Sequence, residues 1–214
     1  MDLDTVLPRP VYSISAERLI SAPPSAVWEE LVGLPMSALT VGFPLTALRH
    51  LPDVLAGRQR RVSGSDTFLA ATPIPVIFRH RPRQLISGGA SQAWKVTGAQ
   101  TPPTLDLAGL RGWAEPGWIT VVMAFDLEEL PGGRGTRLST QTRIGITDPA
   151  TARAFRPYWW LIKAGSALIR REVLKQVQRR AESRPPEPRH SGAATVDSPD
   201  TECTSLPTKG STHG

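Results

Sequence analysis

Apolar and polar residues alternate most regularly in two neighbouring segments, Trp118 to Leu130 and Thr136 to Thr147. The more apolar row of the first segment is Ile119, Val121, Met123, Phe125 and Leu127. The corresponding row of the second is Leu138, Thr140, Thr142, Ile144 and Ile146. Period-two alternation is typical of strands with one solvated face, and the glycine-rich loop Pro131-Gly-Gly-Arg-Gly supplies a reversal. We therefore predict a hairpin whose two apolar rows line one concave interior.

A helical pattern follows the hairpin, from about Pro149 to Ala181. Asp148 supplies an N-cap carboxylate and Pro149 fits the first helical position. One apolar stripe recurs at spacings of three and four: Phe155, Trp159, Ile162, Ser166, Ile169, Val173 and Val177. Pro157 predicts either a kink or a short separate helix. The small pair Gly165-Ser166 lets the helix approach a sheet or leaves room for another molecule.

The earlier part of the chain predicts a strand and helix, followed by more strands. Val11 to Ile20 has strand composition, and the Pro23-Pro24 pair precedes an amphipathic helix over Ser25 to Val32. Leucines at helical spacing predict a second short helix from Leu45 to Leu55. Residues Asp66 to Val96 predict two or three strands separated by turns.

Composition divides the chain of 214 residues into three parts. Of the 32 residues from Ser183 to Gly214, 18 are Pro, Ser, Thr or Gly, so this segment has too few apolar groups to form a core. We interpret residues 1–10 as an N-terminal extension, 11–182 as one folded domain and 183–214 as a disordered tail. The single cysteine, Cys203, lies in that tail, and its role is not specified by the sequence.

The chain carries a net charge of +6, and its basic residues are concentrated before the tail. A basic cluster over residues 149–182 is explained by a solvated helix face, although it could also meet an anionic membrane surface transiently. Nucleic acid is disfavoured because no recognised binding motif accompanies the arginines. The acidic N-terminus and the single cysteine predict a cytoplasmic protein without a secretory signal.

Two end segments resemble a known superfamily. They are Ile20-Ser-Ala-Pro-Pro-Ser-Ala-Val-Trp-Glu-Glu-Leu and the stretch Asp148-Pro-Ala-Thr-Ala-Arg-Ala-Phe-Arg-Pro-Tyr-Trp-Trp to Arg171, and Gly112-Trp-Ala-Glu-Pro-Gly-Trp fits the same pattern. They resemble the START-like, Bet v 1-like (SRPBCC) superfamily of polyketide cyclase/dehydrase and lipid transport proteins over about residues 11–182. The resemblance implies an α+β helix-grip fold, in which a curved antiparallel sheet wraps around a long C-terminal helix and encloses an apolar cavity.

Members of that superfamily bind lipids, sterols, plant hormones or polyketides, and a minority catalyse ring closure or dehydration. The superfamily has no universal catalytic signature, so no catalytic residue is carried over to this chain. Wide apolar side chains suit such a cavity. The predicted ligand-binding residues are Trp94, Trp113, Trp118, Met123, Phe125, Trp159, Ile162 and Ser166. For each tryptophan, packing in an ordinary core remains an alternative, and Trp28 is interpreted as core.

Catalytic and metal chemistry find little support in the sequence. The polar groups that could act as acids or bases in a cavity are Glu115, Asp66, Asp106, His80 and Tyr158, and none is paired by sequence. Only His50 and His80 precede the tail, with no metal-ligand spacing. We therefore predict no catalytic residue, no metal and no cofactor.

Three functions follow as hypotheses. The first is binding or carrying of a hydrophobic small molecule of the lipid, polyketide or isoprenoid class in an internal cavity. The alternative is a polyketide cyclase/dehydratase-type enzyme that uses the same cavity. The third is an interaction module with a filled core. The ligand's identity and the oligomeric state do not follow from the sequence.

Overall fold

The computed structural model describes residues 1–42, 44, 63–95 and 98–184 of the chain. Five strands form one open antiparallel sheet in the order β1-β5-β4-β3-β2. Their bounds are Tyr12–Ile20 (β1), Val76–His80 (β2), Gln84–Ser91 (β3), Ile119–Glu129 (β4) and Thr136–Ile146 (β5). The helices of the described residues are Leu3–Val6 (α1), Pro24–Val32 (α2), Phe68–Ala71 (α3), Leu107–Gly112 (α4) and Pro149–Ser183 (α5). Helix α5 packs against β1, β5 and α2, which confirms the predicted α+β class and helix-grip arrangement.

The hairpin of β4 and β5 has the predicted shared face. Phe125 lies opposite Thr140 and Met123 lies opposite Thr142 in the antiparallel register, so the two apolar rows coincide. The turn between the strands needs glycine, because Gly135 has φ of 145° and a Cβ there would collide with the backbone of Ile20. The predicted strand bounds agree with the observed ones to within a residue at each end.

The main core lies between this face of the sheet and helices α2 and α5. Val27, Trp28 and Leu31 of α2 are buried there, as are Val173 and Val177 of α5. Trp28 is therefore a core residue, as expected. Because these side chains recur on one side of each helix, their burial follows directly from the helical spacing of apolar residues.

Helix α5 begins at a strong cap. Asp148 accepts hydrogen bonds from Thr151 Oγ1 at 2.6 Å, from Gly117 N at 2.7 Å and from Ala150 N and Thr151 N at 2.9 Å each. These hydrogen bonds, first that of the Thr151 hydroxyl and then those of the backbone amides, hold the pKa of Asp148 well below its usual range. They fix the start of α5 beside Gly117, which lies two residues before β4.

The helix continues through Pro157 without interruption, so the alternative of a separate short helix is wrong. A proline inside a helix removes one backbone hydrogen bond and costs about 3 kcal/mol. Phe155 and Trp159, on either side of Pro157, are both buried. The burial of these two rings offsets that cost, because in one continuous helix the turn before Pro157 and the turn after it both pack into the core.

The other face of the sheet is also covered, by α1 and α4. Leu3, Val6 and Leu110 pack there against Ile86 and Val122. Strand β3 is consequently buried along almost its whole length. Residues 1–10, interpreted from the sequence as an extension, thus include a helix that packs on the sheet.

The region predicted as two or three strands contains two, preceded by the short helix α3. Thr67 starts this helix, because its hydroxyl accepts a hydrogen bond from Ala70 N at 3.2 Å. The predicted helix over Leu45 to Leu55, which includes His50, lies outside the described residues, as do Val96 and almost all of the predicted tail with Cys203.

Candidate ligand-binding site

A partly enclosed cavity of about 200 Å³ lies between the sheet and α5. Strand β4 contributes Ile119, Val121, Met123 and Phe125 to its lining. Strand β5 contributes Thr140, Thr142 and Ile144. Helix α5 contributes most of the opposite wall, including Phe155, Trp159, Ile162, Ser166, Ile169 and Arg170. The lining is therefore mainly apolar, and its polar groups include Thr140 and Thr142 of β5 and Ser166 and Arg170 of α5.

The cavity exists because α5 touches the core closely at two places and less closely between them. Phe155, Trp159 and Val173 are buried, whereas Ile162 and Ser166 between them are only partly buried. The small side chain of Ser166 does not fill the space opposite β4 and β5. On the opposite wall, Thr140 and Thr142 of β5 have smaller side chains than leucine would have, and this widens the space opposite Ser166.

Aromatic rings form a rigid wall at one end of the cavity. Tyr12 stacks on Trp159 with ring centroids 4.7 Å apart. Trp94 meets Phe155 edge to face at 5.6 Å, and Phe155 lies 6.2 Å from Trp159. Such rings offer wide apolar contact and hold their positions through mutual packing.

Five of the eight predicted ligand-binding residues line the cavity, on β4 and α5: Met123, Phe125, Trp159, Ile162 and Ser166. The structure brings these five together because their strand and helix periods place them on facing surfaces. Whether they bind a ligand stays a prediction.

The other three, all tryptophans, lie outside the cavity lining. Trp94 supports the wall from behind Phe155. Trp113 and Trp118 pack edge to face against each other at 5.9 Å. The residues of β4 that line the cavity are the odd-numbered ones from Ile119 to Phe125. Successive residues of a strand point to opposite faces, so Trp118, directly before Ile119, belongs to the other face. All three contact other aromatic rings, and whether any of them also contacts a ligand stays a prediction.

Arg170 is a cavity residue that sequence reasoning assigned to the solvated helix face. Its Nη2 donates a hydrogen bond to Thr142 Oγ1 at 2.8 Å. Its Nη1 and Thr140 Oγ1 are buried, and neither has a hydrogen-bond partner within the described residues. Burial lowers the pKa of the Arg170 guanidinium. The sequence does contain a signal for this placement: Arg170 follows Ile169 directly and lies four residues after Ser166, so it borders the apolar stripe of the helix.

Most of the candidate acids and bases lie away from the cavity. Glu115 and His80 are exposed, and Asp106 caps α4 by accepting a hydrogen bond from Gly109 N at 2.7 Å. Asp66 accepts one from Ser63 N at 2.8 Å. Only Tyr158 borders the cavity. The described lining contains no carboxylate and no histidine, and no metal-binding cluster occurs among the described residues.

Neither a protein-family model nor a curated protein matches this chain. Solved structures do match. A protein from Mesorhizobium loti is 16% identical, with 78% of this chain and 98% of that chain covered and a TM-score of 0.35. The Zhui aromatase/cyclase from Streptomyces sp. R1128 is 12% identical, with coverages of 80% and 96% and a TM-score of 0.31.

The di-domain ARO/CYC protein BexL of the BE-7585A biosynthetic pathway is 16% identical, with 86% of this chain and 54% of that chain covered and a TM-score of 0.31. All three identities are below 25%, and all three TM-scores are below 0.5. The strand order of the sheet and the position of α5 against it are by themselves those of an α+β helix-grip fold.

Proposed function

We propose that this protein binds a compact hydrophobic small molecule, of the lipid, polyketide or isoprenoid class, between α5 and the β4–β5 hairpin. The observation that supports it is the cavity of about 200 Å³ with its mainly apolar lining. An apolar cavity of about 150 Å³ accepts a molecule the size of benzene, and larger drug-sized sites begin near 300 Å³. The cavity therefore suits one ring or a medium-length chain.

The expected affinity follows from the area that such a ligand buries. About 200 Å² of apolar ligand surface contributes about 5 kcal/mol at about 25 cal/mol per Å². Ordering of the ligand reduces this value, so apolar contact alone supports an affinity of about millimolar. Tighter binding requires polar contacts inside the cavity.

Binding is favoured over the cyclase/dehydratase alternative by the chemistry of the lining. Proton transfer needs an acid or base within hydrogen-bond reach of the reacting group. Of the five candidate acids and bases, Tyr158 alone borders the cavity. The third hypothesis, a filled interaction module, is disfavoured by the presence of the cavity itself.

A titration with octanol tests the proposal. Octanol should bind the wild-type protein, and Ser166→Trp should abolish binding because the indole ring would occupy the cavity. Ala164→Trp is the matched control, since Ala164 is exposed on the same helix and the same side chain is added outside the cavity. Absence of octanol binding to the wild type, or equal binding to Ser166→Trp, would contradict the proposal. Solvent extraction of purified protein followed by mass spectrometry would identify a resident compound.

We also propose transient contact of α5 with an anionic membrane surface during ligand exchange. Trp160, Leu161 and Leu168 are 66%, 79% and 52% exposed, on the side of α5 away from the cavity. Four basic residues belong to the same helix near this apolar patch: Arg153, Arg156, Lys163 and Lys175. None of the described helices has the length and hydrophobicity needed to cross a bilayer, so the contact would be interfacial.

Vesicle co-sedimentation tests this contact. The wild type should bind vesicles of phosphatidylglycerol and phosphatidylcholine more strongly than vesicles of phosphatidylcholine alone. The double variant Trp160→Ser/Leu161→Ser should lose most of this binding. Leu19→Ser, at another exposed apolar residue on β1, should bind as the wild type does. Equal sedimentation of all three proteins, or no preference for anionic vesicles, would contradict the contact.

A further inference from the structure

The apolar cavity contains a positive charge that the described protein does not neutralise. Arg170 reaches it from α5, and its only hydrogen bond in the described residues goes to the hydroxyl of Thr142. No carboxylate of the described residues forms an ion pair with it. A buried charge with unsatisfied donors is costly, so such groups are ordinarily paired.

A second unsatisfied donor lies on the strand that faces Arg170. Thr140 Oγ1 is buried without a hydrogen-bond partner in the described residues, and Thr140 shares its face of β5 with Thr142. Both threonines and Arg170 line the cavity. Residues two apart on a strand are separated by about 7 Å, so the guanidinium bound to Thr142 and the Thr140 hydroxyl lie at one locality of the wall.

We propose that this locality is a head-group subsite and that the ligand is a compact hydrophobic monocarboxylic acid, whose carboxylate accepts hydrogen bonds from Arg170 Nη1 and Thr140 Oγ1. The inference rests on the proposed function, since it assigns the ligand class of the same cavity. A carboxylate has two acceptor oxygens and one negative charge, which match two free donors and one guanidinium. The hydrocarbon body then occupies the apolar space towards Met123 and Trp159.

Other head groups fit these donors less well. An alcohol would leave the guanidinium charge without a counter-ion. A phosphate carries more charge and more acceptor oxygens than the two unsatisfied donors can match. An amine would place a second positive charge beside Arg170. Of the common head groups, the carboxylate alone satisfies both the charge and the number of donors.

Calorimetric titrations with octanoate and octanol, which share one hydrocarbon chain, separate the two proposals. The wild type should bind octanoate about tenfold more tightly than octanol, which corresponds to about 1.4 kcal/mol. Arg170→Met should remove this preference, so that octanoate binds no more tightly than octanol, because Met keeps an apolar side chain of similar length without the charge. Arg171→Met is the matched control: it removes the same charge from the next, exposed position and should leave both affinities unchanged.

Two further variants exclude a merely structural role for Arg170. Arg170→Lys keeps the charge without the planar fork and should bind octanoate with intermediate affinity. Thr140→Val should weaken octanoate binding more than octanol binding, because the carboxylate is the better acceptor for the lost hydroxyl. Equal affinities of the wild type for octanoate and octanol, or equal effects of Arg170→Met and Arg171→Met, would overturn the subsite while the proposed function stands. Failure of both ligands to bind would overturn the proposed function and the subsite together.

Discussion

The guanidinium of Arg170 on α5 donates a hydrogen bond of 2.8 Å to the hydroxyl of Thr142 on β5, and this bond joins helix and strand across the cavity wall. Two positions along the same face of β5, the hydroxyl of Thr140 has no such partner among the described residues. The wall therefore holds one satisfied hydroxyl, that of Thr142, and two buried polar atoms without partners among the described residues, Arg170 Nη1 and Thr140 Oγ1. The energetic cost of the unpaired hydroxyl can be measured on the protein alone.

Replacement of Thr140 by valine should stabilise the unliganded protein. A buried hydroxyl without a partner carries a desolvation cost, and an isosteric methyl group removes it, so we expect the free energy of unfolding to rise by about 1 kcal/mol. Thr136→Val is the matched control on the same face of β5, because the Thr136 hydroxyl donates to Ala22 O at 2.7 Å and its loss should cost about 1 to 3 kcal/mol. Urea unfolding measures both, and destabilisation by Thr140→Val would show that its hydroxyl is satisfied.

Replacement of Trp159 by alanine should strongly destabilise the protein. Trp159 is buried and stacks on Tyr12, so its removal leaves a large void at the aromatic end of the cavity. We expect a loss of about 3 to 5 kcal/mol in the free energy of unfolding. Trp160→Ala removes the same side chain from the adjacent, exposed position and should change stability by less than about 0.5 kcal/mol. Similar losses for the two variants in chemical denaturation would contradict the placement of α5.

Acid should weaken the attachment of residues 40–42 to α5. Glu172 accepts hydrogen bonds from Thr40 Oγ1 at 2.6 Å, Thr40 N at 2.6 Å and Gly42 N at 2.7 Å. Burial alone would raise the pKa of Glu172, but these hydrogen bonds outweigh it and lower the pKa below the ordinary value of 4.5. The stabilisation is therefore present above the unfolded-state pKa and is lost as pH falls through the lower folded-state pKa.

Thermal unfolding of the wild type and Glu172→Gln across pH tests this linkage. The wild type should be more stable at neutral pH, and the difference should shrink once the pH falls below 4.5, the ordinary glutamate value. Glu115→Gln, at an exposed carboxylate, should show no comparable loss at neutral pH. A wild-type advantage that persists undiminished to strongly acidic pH would contradict the assigned hydrogen bonds.

The hairpin and the long helix were predictable because apolar residues recur in each at one regular spacing, of two in the strands and of three or four in the helix. Alternation over β4 and β5 predicted that the row with Met123 and the row with Thr142 share one interior, and the spacing of three and four placed Trp159 and Ser166 in one stripe of α5. The structure adds the register, in which Met123 lies opposite Thr142. Local patterns of this kind report which side of an element is buried.

Features that depend on tertiary contacts were not predictable. Strand β3 shows no alternation because α1 and α4 cover the face of the sheet opposite the main core, so its bounds could not be identified from its pattern. Arg170 was counted with the solvated bases, since sequence alone does not show that the helix leaves a gap where its side chain can enter. Trp113 and Trp118 pack against each other, and neither the helical nor the strand spacing of apolar residues predicts this contact.

A crystal structure of the protein under xenon pressure tests the central claim most directly, because xenon enters apolar cavities without needing a matching head group. The account predicts an anomalous peak between Ser166 of α5 and Met123 of β4 in the wild type, and its loss in Ser166→Trp. Wild-type density in which side chains close that space, with no xenon bound there, would contradict it.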